Sequence, residues 1–212
     1  MKPYYNYVLV EIDNSNEWID LGVEKIKIDV SFEPERRAQQ LGKVIQVGEL
    51  LFGDDPHSLQ WKTENELAPG DEILFHYLTV NDAKNNGRIL GPNQIIIRYD
   101  EIFCTITNGV KPVNGWVFVE PVIEEINSAL IIPDIARGKK SMTFGKIKFI
   151  GTPVGYIDGS FDCMDLEIGD EILFARHDAV PIQDELRPVL GNLYRMHRTD
   201  ILIKMKDFEN AV

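Results

Sequence analysis

The sequence predicts a mainly β protein built from two small β-barrels in tandem, residues 1–108 and 109–212. Three observations lead there. The same ordered set of strand and turn patterns is readable twice. Its short segments are β-branched or aromatic and bounded by Gly, Pro, Asp or Asn, and amphipathic helical spacing is almost absent. Each repeat of about a hundred residues holds only a few main strands with long connections, which suits a small barrel, because closure removes the edges an open sheet exposes.

In the first repeat the strand segments are Tyr7 to Glu11, Leu41 to Gly48, Leu67 to Phe75 and Ile95 to Ile102. Trp116 to Glu120, Phe144 to Gly151, Leu166 to Phe174 and Tyr194 to Ile201 follow in the same order. The register offset falls from 109 (Val119 against Val10) to 103 (Gly145 against Gly42) and then 99 (Gly169 against Gly70). Strands are kept while loops shorten, as expected of a duplicated domain whose connections tolerate deletion better than its packed strands. Within the third segment, Gly70-Asp71 and Gly169-Asp170 read as tight turns feeding a strand, with Gly taking positive φ and Asp bonding nearby backbone. That turn chemistry accounts for both aspartates without a catalytic role.

With 44% hydrophobic and 26% charged residues the chain can bury a core. No apolar run approaches the roughly 20 residues of a membrane span, and the opening Met1-Lys2-Pro3-Tyr4-Tyr5-Asn6 lacks signal-peptide order, so a soluble cytoplasmic protein is expected. Cys104 and Cys163 fall at unrelated places in the two repeats, which predicts two reduced thiols and no zinc set. A net charge of −12 opposes nucleic-acid binding, which draws on a basic footprint.

Two connections per repeat are longer than a barrel needs, and such loops are where binding residues tend to lie. In the second repeat, Ile123 to Thr143 has the apolar centre Ala129-Leu130-Ile131-Ile132 before Pro133, flanked by Gly138-Lys139-Lys140-Ser141. The centre reads either as a further buried strand or as an exposed tip available to a hydrophobic groove. In the first repeat the connection runs from Asp13 to Gln40, and its nearest equivalent is Ile26-Lys27-Ile28, where a strand alternating Ile26, Ile28 and Val30 is the favoured reading. The second long connection spans His76 to Gln94 and Ala175 to Asn192, with Asn85-Asn86-Gly87 as a hairpin-turn signal.

Leu130-Ile131-Ile132-Pro133-Asp134-Ile135-Ala136-Arg137 resembles the Ile-Val-Leu-Pro-Asp-Thr-Ala-Lys mobile loop of the GroES-type co-chaperonins. Phe144-Gly145-Lys146-Ile147, Ile168 to Phe174 and Thr199-Asp200-Ile201-Leu202 resemble three further segments of that family, so the likeness spans nearly the whole second repeat. The resemblance implies two GroES-like barrels, each with a long mobile loop and a roof hairpin, that join a ring and cap a GroEL-type chaperonin in an ATP-dependent cycle. Leu130, Ile131 and Ile132 would be the tripeptide that docks between two helices of the chaperonin apical domain, and Asp184 and Glu185 would lie on the roof. Ile26, Lys27 and Ile28 occupy the corresponding place in the first repeat, with a lysine that departs from the pattern. Several such loops on one rigid homo-oligomer bind with high avidity although each alone is weak.

The sequence has no Walker loop, dinucleotide fingerprint, nucleophile elbow or His-Glu-x-x-His helix, so an enzyme is not expected. Neither a cofactor nor a metal is expected, although His76 and His177 follow the third strand of their repeats at similar places. Nucleotide hydrolysis would belong to the chaperonin. Two other readings remain at this point: an interaction or regulatory protein that keeps the barrels without docking, and an enzyme using the barrel as a substrate-binding cap, as alcohol dehydrogenases do. An odd-membered ring of modules cannot be made from whole two-module chains, so assembly must resolve that mismatch.

Overall fold

The computed structural model describes residues 2–13, 18–20, 25–27, 38–52, 59, 61–124, 139–152, 155–156, 165–175, 180–182, 186 and 190–205. The chain divides into two compact units, Met1–Asn114 with Thr152–Phe161, and Gly115–Gly151 with Asp162–Val212.

In the first unit the strands are β1 (Tyr7–Ile12), β2 (Trp18–Asp20), β3 (Lys25–Lys27), β4 (Leu41–Val47), β5 (Trp61–Lys62), β6 (Glu72–Phe75), β7 (Ile89–Gly91), β8 (Gln94–Arg98), β9 (Ile102–Thr105) and β10 (Lys111–Pro112). In the second they are β11 (Trp116–Glu124), β12 (Lys139–Ile150), β14 (Glu171–Phe174), β15 (Val180–Pro181), β16 (Tyr194–His197) and β17 (Ile201–Lys204); β13 (Gly155–Tyr156) pairs with β5 inside the first unit.

The main sheets are antiparallel and run β7-β8-β1-β4-β6-β9-β10 and β15-β16-β11-β12-β14-β17. Apart from β10, which has no counterpart among the described residues, this is one strand order used twice, and the register repeats with it. Val10 pairs with Val44 as Val119 pairs with Ile147, and Phe75 pairs with Ile102 as Phe174 pairs with Ile201. The irregularities repeat as well: one between Leu9 and Val10 and between Phe118 and Val119, another between Leu74 and Phe75 and between Leu173 and Phe174. A bulge at such a place re-aims a strand and raises its local twist.

Each sheet buries one apolar cluster. Val10, Ile73, Phe75 and Ile102 lie in the first, and their counterparts Val119, Ile172, Phe174 and Ile201 in the second. The Gly-Asp turn forms as the sequence predicts. Gly70 and Gly169 take φ of 97° and 98°, and the Oδ2 atoms of Asp71 and Asp170 accept the N–H of Ala68 (2.8 Å) and Glu167 (2.7 Å). The turn is stitched to the neighbouring strand by Gly70 N–H to Val44 O and Gly169 N–H to Ile147 O. Asp170 is buried and also meets Lys204 Nζ at 2.8 Å, which holds the ammonium above its ordinary pKa. Before the last strand of each repeat, one 3-10 turn recurs: Glu101 accepts the N–H of Arg98, and Asp200 that of His197.

The Asn85-Asn86-Gly87 signal needs correction. Thr79–Asn85 is a helix, α1, with Thr79, Val80 and Ala83 buried. Its end is a Schellman arrangement: Gly87 (φ 67°) donates to Lys84 O, and Arg88 N–H to Ala83 O. The glycine therefore stops a helix, and the hairpin between β7 and β8 turns through Pro92 and Asn93. Seven residues including threonine, valine and asparagine form a weak helix alone, so its packed face sustains it.

Gly42 in β4 and Gly145 in β12 stand where no side chain fits. A Cβ on Gly42 would meet Val10 and lie 3.0 Å from Glu11 O; one on Gly145 would meet Val119 and lie 2.8 Å from Glu120 O. Gly145→Ala is expected to cost about 1–3 kcal/mol in urea unfolding, as overpacking does. Gly91→Ala, where a Cβ meets nothing within 4 Å, should stay within about 0.5 kcal/mol of wild type. A neutral Gly145→Ala would contradict this packing. Asp170→Ala, which strips the Glu167 N–H of its acceptor and the Lys204 ammonium of its buried partner, is expected to cost about 1–3 kcal/mol in the same assay.

Candidate functional site

β11 and β12 extend well past the segments legible in the sequence. The strand signals end at Glu120 and begin again at Phe144, yet pairing continues to Ile123 opposite Lys140 and Glu124 opposite Lys139. Pro121, which has no N–H to give a ladder, sits at a register irregularity between Pro121 and Ile123, where proline is tolerated in a strand. The result is a two-stranded arm whose last described register pair is an acidic and a basic residue. Near its base Val122 and Phe144 are exposed, and Glu120 lies 3.9 Å from Lys148. The arm brackets residues 125–138, so Leu130, Ile131 and Ile132 fall between its two paired ends and lie outside the described residues.

The corresponding place in the first unit falls partly within the described residues. Ile26 and Lys27 belong to β3, which pairs with β2 through Ile19 opposite Ile26 and Trp18 opposite Lys27. Ile28 lies outside the described residues, as do Asp184, Glu185, His57, His177 and Cys163. Cys104 is buried in β9.

His76 stacks on Tyr77 with ring centroids 4.4 Å apart, and its Nδ1 accepts the Leu78 N–H. His197 places Nδ1 2.8 Å from the Thr199 hydroxyl and meets the Trp116 ring edge to face. Among the described residues no three His, Cys, Asp or Glu side chains converge as metal ligands. No helix among them is long and apolar enough to cross a membrane.

One polar cluster has no signal in the sequence. In the first unit the Glu66 carboxylate accepts the Asn114 N–H (2.6 Å), lies 3.1 Å from the Tyr99 hydroxyl and is bonded by the Thr152 hydroxyl. Tyr99 Oη also accepts the Glu66 N–H at 3.0 Å. A single carboxylate thus ties together residues separated by as many as 86 positions, which no local pattern can announce. Its chemistry is that of an anchor, because every partner is a neutral donor held by the fold.

Burial, and then the Glu66 carboxylate, push the Tyr99 phenol above its ordinary pKa of 10.0. Unfolded, Tyr99 ionises near pH 10; folded, it keeps its proton. The unfolded state then holds fewer protons, so the stability tied to Tyr99 is complete below about pH 10 and is lost as pH rises beyond it. Urea unfolding at about pH 8 and about pH 11 should show a loss for wild type that is smaller in Tyr99→Phe. Equal losses in the two proteins would contradict the burial of a neutral phenol.

No family model matches the chain. Over 96 residues it is 30% identical to the co-chaperonin GroES of Syntrophotalea carbinolica, an alignment covering 44% of this chain and 94% of that protein. Nearly all of a GroES chain is thus matched by about one repeat's length of this one. A mainly β chain whose strand order recurs in two antiparallel sheets, and which aligns with almost the whole of a GroES, belongs to the GroES co-chaperonin family.

Proposed function

We propose that the chain is a two-module co-chaperonin, residues 1–108 and 109–212, that caps a GroEL-type chaperonin ring and assists ATP-dependent folding without catalysis of its own. In this reading each sheet curls into a small barrel, several chains associate in the cytoplasm, and the apolar tripeptide Leu130-Ile131-Ile132 docks on the chaperonin apical domains. The observation that carries it is the arm: β11 and β12 stay paired out to Glu124 and Lys139, the residues that flank 125–138 in the sequence, the segment that holds the tripeptide. The relationship to a GroES supports the same partner.

The first module has a second role. Ile26 and Lys27 sit in a paired strand, with a charge where the second module has an isoleucine, which favours an architectural part for Ile26, Lys27 and Ile28. Taken to the whole chain, that observation supports the alternative of an interaction or regulatory protein on duplicated GroES-like modules.

Mixing the protein with a GroEL-type chaperonin and ATP separates the two. Capping predicts a stable complex and a changed ATPase rate, both reduced about tenfold or more by Ile131→Asp, since a charge cannot enter an apolar groove unpaired. Lys27→Asp should leave both within about twofold. No complex and an unchanged ATPase with wild type would sink the capping role.

A further inference from the structure

The first unit carries a groove of about 380 Å³, walled by Tyr4, Tyr7, Leu9, Leu90 and Ile96 and reached by the side chain of Arg88. Strand alternation places it on the face of the sheet away from the apolar cluster. Val8 and Val10 of β1, with Ile95 and Ile97 of β8, are buried in that cluster, so Tyr7, Leu9 and Ile96 face the other way. Leu9 and Ile96 lie opposite each other in the ladder, and Leu90 on β7 is 44% exposed beside them.

One cation of this apolar lining is short of an acceptor. The Nη1 atom of Arg88 is buried without a hydrogen-bond partner. Burial raises the Glu101 carboxyl above its ordinary pKa against the pull of the Arg98 N–H and of the Arg88 charge, so Glu101 is the counter-charge Arg88 feels. Its Oε2, however, already accepts the Arg98 N–H at 3.0 Å. Lys2, the other cation of the lining, holds Glu49 at 2.9 Å. A buried donor without an acceptor is costly, more so on a charged group, and the groove therefore favours an anionic oxygen. The second unit is built otherwise at this place: Phe118 pairs with Arg195 where Leu9 pairs with Ile96, and both Phe118 and Arg195 are buried.

We infer that the groove binds a small alkyl carboxylate, its charged end taken by the Arg88 guanidinium and its apolar body laid between Tyr4, Tyr7, Leu9, Leu90 and Ile96. The volume falls within the roughly 300–1,000 Å³ of small-ligand sites, which are likewise mostly apolar with a few polar groups that fix orientation. A guanidinium offers a carboxylate two parallel donors, a geometry that an alcohol of the same shape cannot use. The two halves of the site select jointly. A wholly polar anion leaves the tyrosine and aliphatic walls unused, and an uncharged apolar molecule leaves the arginine without its acceptor. The site is read from the first unit alone, so its failure would leave the comparison of wild type with Ile131→Asp untouched.

Isothermal titration calorimetry of the whole chain with octanoate is expected to show a single saturable site at submillimolar concentration. Octan-1-ol, the same body without the charge, should bind about tenfold more weakly. Arg88→Met keeps an apolar stem and removes the charge, and should weaken octanoate about tenfold while leaving octanol within about twofold. Leu90→Glu, at an exposed position, gives Arg88 a carboxylate from the chain itself and should weaken octanoate by about tenfold or more. Both variants are expected to keep the wild-type circular dichroism; if Arg88→Met loses it, Leu90→Glu decides. No saturable uptake below about 1 mM, octanol held as tightly as octanoate, or an octanoate affinity unchanged in Leu90→Glu would overturn the site. A groove covered by another protein chain would give the first of these results.

Discussion

Both sheets depend on the close approach of β1 to a glycine of β4 and of β11 to a glycine of β12. At Gly42 and Gly145 the backbones of β4 and β12 lie so close to Val10 and Val119 that a methyl group has no room. That approach sets the register of the central ladder, and a one-residue slip would turn Val10 or Val119 out of its core. The Gly-Asp turn, held to the same strand by Gly70 N–H to Val44 O and Gly169 N–H to Ile147 O, then delivers β6 and β14 beside it. A close approach at Gly42 and Gly145, and positive φ at Gly70 and Gly169, explain why glycine stands at both places in both copies.

The central ladder was legible because its signals are local. β-branched runs, the Gly-Asp turn and the duplicated Glu-Ile-Leu-Phe each state their structure within a few residues. What escaped depends on distant chain. α1 is held by a buried face that includes Val80 and Ala83, and its stop at Gly87 looks the same as a hairpin turn when read alone. The far ends of β11 and β12 were hidden by Pro121, whose missing N–H a register irregularity absorbs. β10 and the β5–β13 pair are two residues per strand, too short for periodicity to register. The Glu66 cluster joins four parts of the chain through one carboxylate.

The two copies have diverged most in what they present to others. One carries an arm paired to Glu124 and Lys139 around an apolar tripeptide; the other places Ile26 and Lys27 in the short β2–β3 pair. Among the described residues, β9 of the first sheet is covered by β10, and β17 of the second is outermost with Leu202 exposed. Conserved packing with unequal surfaces is what duplication yields when cores are constrained by volume and loops are not. In the function proposed above, docking falls to the second module and an architectural part to the first.

Electron cryomicroscopy of a GroEL-type chaperonin incubated with ATP and this protein tests that division most directly. Two-module capping predicts a cap on the chaperonin end in which residues 130–132 occupy the apical-domain grooves and residues 26–28 do not. Bare chaperonin ends, or a cap attached through any surface other than the segment between Glu124 and Lys139, would contradict it.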